Sequence, residues 1–93
     1  MSTLGPQTGA TANVASSATN VTLFSAVGNA RGRTIWNDST AVLYVKFGAT
    51  ASSSSYTVQL SPGAYYEFPQ AVYSGQVDGI WASANGNARV TSW

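Results

Sequence analysis

From about residue 21 onward the chain is a succession of short β-favouring runs, each closed by Gly, Pro, Asn, Asp or Ser, with no helical periodicity anywhere. That rhythm restricts the fold to a sandwich or barrel of short antiparallel strands. Residues 21–24 form a first run, and residues 33–37 (RTIWN) a second, bounded by Gly28-Asn29 and by Asn37-Asp38-Ser39. Residues 41–47 (AVLYVKF) are the strongest strand. Period 2 sets Leu43, Val45 and Phe47 against Val42, Tyr44 and Lys46, and because both faces are largely apolar a central position is predicted.

A Ser-rich loop at 51–55 leads to 56–60, where Tyr56, Val58 and Leu60 share the core side and Thr57 and Gln59 the other. Pro62-Gly63 fits the central positions of a type II turn, proline setting the first φ and glycine supplying the positive one, with 64–68 as the returning strand. Residues 76–83 and 87–93 meet at Asn85-Gly86, a pair that predicts a type I′ hairpin. Gly79 inside the first of these strands predicts a bulge or a close backbone approach. The tetrapeptide Gly-Asn-Ala-Arg occurs at 28–31 and at 86–89, each time as a turn feeding a strand, and is read as shared turn chemistry.

Residues 1–20 (MSTLGPQTGATANVASSATN) carry isolated apolar residues at Leu4, Pro6 and Val14 among Ser, Thr, Ala, Gly and Asn. That composition buries too little to fold alone, so this stretch is read as an extended N-terminal arm preceding a β-sandwich domain at 21–93. Either a neighbouring molecule orders the arm, or it is pinned to its own domain as an edge strand.

At 93 residues the chain makes a single domain with a thin core, hiding about 60–65% of its unfolded surface. Charged residues are 8% of the sequence, against roughly 25% in an average soluble domain. Outer faces must then be built from Ser, Thr, Ala, Asn and Gln, which protect poorly against association, so lasting contacts with copies or neighbours are expected. A formal charge of +1 is too small to neutralise several phosphates, and nucleic-acid binding is disfavoured. No run approaches the roughly 20 apolar residues of a membrane span, and the start of the chain has neither the basic residues nor the apolar block of a signal peptide, so no membrane association and folding in the cytoplasm are expected.

Chemistry is hard to assemble from what remains. Cysteine and histidine are absent, and the carboxyl side chains are Asp38, Glu67 and Asp78. Asp38 is read as a turn residue, while Glu67 and Asp78 sit in strands where Lys46 or Arg89 could pair with them. Lys46 is the single lysine available as a base for a serine nucleophile, without Ser-x-x-Lys spacing around it, and three scattered carboxylates give no ligand cluster. No catalytic residue, metal or cofactor is expected. Arg31 and Arg33, two apart, are expected on one strand face, as a solvated edge or as a grip on an anionic group of a partner. Trp36, Trp81 and Trp93, with five tyrosines, would serve as core, as interface anchors or as a sugar-stacking platform. Trp36 or Trp81 is expected in the core, and Trp93 is the tryptophan best placed to meet another chain. The sequons Asn20-Val-Thr and Asn37-Asp-Ser are read as coincidental.

Residues 33–93, and especially STAVLYVKFGATASSSSYTVQLSPGAYYEFP followed by GQVDGIWASANGNARVTSW, resemble small structural proteins of tailed bacteriophages, through turn and core residues such as Gly63, Gly79, Trp81 and Gly86. The resemblance covers about two thirds of the chain. It implies a β-sandwich or jelly-roll domain of a virion component (a capsid decoration or cement protein, a head fibre or a tail-associated protein) that forms homo-oligomers, often trimers. The leading expectation is therefore an all-β, non-enzymatic decoration protein of about seven to eight short antiparallel strands, located in the virion and bound between major capsid subunits. Interface residues are expected at Leu4, Pro6, Val14, Arg31, Arg33 and Trp93. The alternatives are a tail or neck component and a carbohydrate-binding host-attachment module, the latter requiring at least two coplanar, exposed rings on one sheet face flanked by polar side chains.

Overall fold

The computed structural model describes residues 9–93, which are all-β and contain no helix. Eight strands are formed: β1 (Ala10–Ala15), β2 (Val21–Phe24), β3 (Arg33–Ser39), β4 (Leu43–Phe47), β5 (Val58–Leu60), β6 (Tyr65–Glu67), β7 (Val77–Trp81) and β8 (Gly86–Ser92). They make two antiparallel four-stranded sheets, ordered β1-β8-β3-β6 and β2-β7-β4-β5. This is a β-sandwich, as the strand rhythm of the sequence predicts.

The order follows one rule. β1 pairs with β8, β2 with β7, β3 with β6 and β4 with β5, so the chain is a single long antiparallel ribbon folded over on itself. The additional pairs β3·β8 and β4·β7 then join the layers of the ribbon into two sheets. That wrapping is the eight-stranded jelly roll. Among the described residues β4 and β5 are the sole consecutive strands that pair, and every other connection crosses from one sheet to the other.

Two hairpins expected from the turn residues are accordingly corrected. Ala64 N–H donates to Ser61 C=O at 2.9 Å and Gly63 has φ +80°, so Ser61-Pro62-Gly63-Ala64 is the expected type II turn. The strand that follows does not return along β5, however; β6 crosses to the other sheet and pairs with β3. Likewise β7 and β8 lie in different sheets, no residue other than glycine has positive φ, and Asn85-Gly86 is not a type I′ turn. Residues 82–85 instead bridge the sheets, because both sides of β7 are already taken by β2 and β4. Gly86 opens β8 at φ +125°, where an added Cβ would stand 2.5 Å from the Asp38 carbonyl oxygen.

The stretch read as an arm is partly built into the domain. Ala10–Ala15 form an edge strand along β8, in register from Ala10 opposite Ser92 to Ala15 opposite Asn87. Leu4 and Pro6 lie outside the described residues.

The core is filled by the inward positions of both sheets. Ile35, Ala88 and Val90 face Leu23, Leu43, Val45, Leu60, Val77 and Trp81. β4 is central, as its two apolar faces predict, and Trp81 is buried as expected. The irregularity expected near Gly79 lies on the opposite strand, as a register shift between Thr22 and Phe24. Gly79 itself makes room for side chains: a Cβ there would meet Leu23 Cδ1 at 2.9 Å and Leu43 Cδ1 at 3.1 Å.

Two polar side chains of β3 close the ends of this core. Asn37, fully buried, donates Nδ2–H to the carbonyls of Ala41 (2.9 Å), Leu60 (3.0 Å) and Ser61 (3.1 Å), and its Oδ1 accepts from Ser39 Oγ (2.7 Å) and Trp81 Nε1 (3.1 Å). About 13 Å away along the strand, Arg33 donates from its guanidinium to the carbonyls of Ser25 (2.9 Å), Tyr73 (2.9 Å), Gly75 (2.8 Å) and Ser74 (3.3 Å). The guanidinium also lies 4.7 Å from the Phe24 ring centroid, at the edge of a cluster joining Phe24, Phe68, Phe47, Tyr66 and Tyr73.

Candidate functional site

Strand alternation turns Arg33, Ile35 and Asn37 inward and leaves Thr34, Trp36 and Asp38 on the outer face of the β1-β8-β3-β6 sheet. Inward polar groups at both ends of β3 thus force its largest ring outward. Trp36 is 42% exposed and stands opposite Tyr65 of β6, which is 62% exposed. On its other side Trp36 stands opposite Arg89 of β8, and Arg89 in turn opposite Asn13 of β1. One row of four side chains, Tyr65-Trp36-Arg89-Asn13, therefore crosses the whole sheet.

Three members of the row, Trp36, Arg89 and Asn13, are held by side-chain contacts. Trp36 Nε1–H donates to the Gly63 carbonyl at 3.2 Å, which anchors the indole to the β5–β6 turn. Arg89 Nε–H donates to Asp38 Oδ2 at 2.8 Å and its NH1 group to Asn13 Oδ1 at 3.2 Å. The guanidinium carbon sits 5.9 Å from the Trp36 ring centroid, near the outer limit of a cation–π contact. Thr11, Thr91, Thr34 and Glu67 occupy the neighbouring outward row. Beside Arg89 an open cavity of about 530 Å³ is lined by Thr11, Ala12, Asn13, Arg89, Val90 and Thr91.

The residues expected at an interface do not come together as one surface. Val14 turns inward and packs against its own core. Arg33 is a clear correction: it is 1% exposed and not on a face shared with Arg31, because β3 begins at Arg33 and its alternation places that side chain inside. Burial pushes its pKa below the ordinary arginine value, with the charge of Tyr73 acting the other way. Arg31 and Trp93 do meet, the Arg31 N–H donating to the Trp93 carbonyl at 2.7 Å, while Gly32 and Trp93 exchange backbone hydrogen bonds at 3.2 and 3.0 Å. The Trp93 indole, 37% exposed, lies against Gly32, where any Cβ would collide with it.

Glu67 and Asp78 lie in strands as expected, whereas the role of Asp38 and the partners of Asp78 differ from expectation. Asp38 is a strand residue paired with Arg89 rather than a turn acceptor; the turn after β3 is held by Ser39, whose Oγ accepts from Ala41 N–H at 3.2 Å. Asp78 is buried and accepts from Asn20 Nδ2 and Gln76 Nε2, each at 2.9 Å, instead of pairing with Lys46 or Arg89. Lys46 Nζ donates to Ser55 Oγ at 2.9 Å and to the Thr50 carbonyl at 3.3 Å on an exposed loop, an arrangement that clamps the loop ends. Among the described residues no group of three or more His, Cys, Asp or Glu gathers as a metal site.

Sequence reasoning named Trp36 as a possible stacking ring but did not identify Tyr65 or Arg89 as its neighbours. Those neighbours are set by the β3·β6 and β3·β8 pairings, between strands remote in sequence. Compared with family models, curated proteins and solved structures, the chain matches none.

Proposed function

We propose that this chain is a non-enzymatic structural subunit of a bacteriophage virion, most simply a head decoration protein that self-associates, in threes by preference, and seats between major capsid subunits. The observation that carries the reading is how little charge the folded exterior retains. Of four basic and three acidic residues, Arg33 and Asp78 are buried, and Arg89 and Asp38 neutralise each other on the surface. Such an exterior gives a monomer little protection against association and suits lasting contacts.

The sheet edges support the same reading. β1 (ATANVA), β2 (VTLF) and β5 (VQL) are edge strands without a charged side chain, and β6 carries Glu67. Solitary β proteins usually guard such edges with Lys, Pro or inward charges, and unguarded edges offer backbone groups to a neighbour. Jelly rolls also build viral shells, an analogy of fold that supports the same reading.

The experiment is sedimentation of the purified chain over a range of concentrations, alone and with heads stripped of their accessory proteins, followed by imaging of the reconstituted particles. A concentration-dependent oligomer and regular density on the head surface are expected. A strictly monomeric protein that never joins the heads would overturn the reading, and density confined to the tail or neck would reassign the location.

A further inference from the structure

We infer that the outer face of the β1-β8-β3-β6 sheet is a binding site for a short neutral oligosaccharide, with Trp36 and Tyr65 as the stacking platform and Asp38, Arg89 and Asn13 as the hydroxyl-reading groups. The inference stands apart from the assembly reading, since a subunit can join a particle whether or not this face binds sugar.

The aromatic half of the site consists of two large rings on facing strands, both well exposed on an otherwise polar face. Cross-strand neighbours of this kind lie about 5 Å apart at their Cβ atoms, near enough for one sugar chain to reach both rings. The Trp36 N–H is already committed to Gly63, so what the indole offers outward is its π surface, held in place before any ligand arrives. Pre-anchoring removes part of the ordering cost of binding. Flat apolar patches of pyranose rings are the natural complement to such a surface, and their C–H groups interact with the negative face of the ring.

The polar half is already ordered and close to electrically neutral. Arg89 supplies only donors, the Asp38 carboxylate only acceptors, and the Asn13 amide both, and the three are linked at 2.8 and 3.2 Å. A hydroxyl both donates and accepts, so a network presenting each kind of partner on one patch of the face fits a polyol. Phosphate or sulfate is disfavoured, because the one arginine of the row is neutralised by Asp38 and Glu67 lies in the next row. The row spans three strand intervals, roughly 14 Å, and runs into the cavity beside Arg89. That length suits several linked sugar rings rather than one.

The full chain is labelled with ¹⁵N and titrated at millimolar ligand with cellohexaose, maltohexaose and chitohexaose, reading backbone amides and indole N–H signals. At least one sugar is expected to give saturable shifts at Trp36, Tyr65, Arg89 and Asn13. Trp36→Ala and Tyr65→Ala, each retaining dispersed spectra, are expected to weaken that binding at least about tenfold, and Tyr56→Ala in the β4–β5 loop to leave it unchanged. Should Trp36→Ala unfold, Tyr65→Ala at the sheet edge serves as the decisive variant. Three findings each overturn the inference: no shifts with any of the three sugars, shifts that persist undiminished in Tyr65→Ala, or shifts of the same residues that depend on protein concentration without sugar and so assign the face to a second copy.

Discussion

Trp81 and Asn37, 44 positions apart, meet in the core through a 3.1 Å hydrogen bond from the indole Nε1–H to the amide Oδ1, tying β7 of one sheet to β3 of the other. The same amide donates to three carbonyls from the turns at that end of the sandwich. Both local turn conformations and the sheet-to-sheet joint thus rest on a single side chain.

Asn37→Ala leaves the buried indole N–H without its partner and takes one donor from each of three carbonyls, of which Ala41 keeps Ser39 Oγ–H and Ser61 keeps Ala64 N–H. A loss of about 3–5 kcal/mol is expected, against a total of roughly 5–14 kcal/mol for a chain of this length. Urea unfolding followed by tryptophan fluorescence measures it, and a loss below that of an ordinary surface change would show the hub to be dispensable.

Asn37→Asp tests the same site by pH. A carboxylate facing three carbonyl oxygens is repelled while the protonated acid can still donate to one of them, so the folded-state pKa must lie above the unfolded value of about 3.9. The sign follows directly: the penalty is absent below the unfolded pKa, grows as pH rises from there, and reaches its full size above the folded pKa. The variant is therefore expected to be closer to wild type near pH 4 than at pH 7 in parallel unfolding curves.

Arg33→Met removes the guanidinium that holds four backbone carbonyls and keeps a stem of similar length. The expected cost is roughly 3 kcal/mol, and its distribution is diagnostic. Amide exchange should accelerate first at residues 25–30 and 73–75, where Val27 N–H donates to Ser74 C=O at 2.9 Å and Ala30 N–H to Ser74 Oγ at 2.8 Å. Uniform acceleration across both sheets would contradict the role of Arg33 as a local staple.

Three glycines should rank by what surrounds them. At Gly63 nothing lies within 4 Å of an added Cβ and the penalty is the positive φ alone, about 1–2 kcal/mol. Gly79→Ala presses on flexible leucine ends and is expected to cost about 1–3 kcal/mol. Gly86→Ala combines positive φ with the backbone of Asp38 and Ser39 and should be the worst of the three. Melting temperatures of the three variants test the order.

Arg89→Gln should leave stability within about 1 kcal/mol, since the Asp38 ion pair is exposed on both sides. That makes it a clean probe of the outer face: thermal unfolding stays near wild type while sugar binding falls.

The strands were legible in the sequence because period-2 alternation and turn residues act within a few positions. Residues 41–47 announced a central strand, and Pro62-Gly63 its type II turn. The pairing was not legible. Asn85-Gly86 has the composition of a tight hairpin, yet β7 already had two partners, and non-local pairing overrode the local preference. On β3 the alternation left two choices, Trp36 inward or Arg33 and Asn37 inward. What decides it is the set of seven carbonyls, one hydroxyl and one indole N–H, most of them remote in sequence, that meet the two buried polar side chains. The candidate site was half visible for the same reason: its ring was named, its neighbours were not.

Nested pairing of each strand with its mirror image along the ribbon also sets a timetable. The β4·β5 ladder closes over residues 48–57 alone, and once it has formed the ends of β3 and β6 are already near one another, then those of β2 and β7, then those of β1 and β8. Each step shortens the search for the next, so assembly is expected to run from the middle outward, with the outermost ladder last to zip.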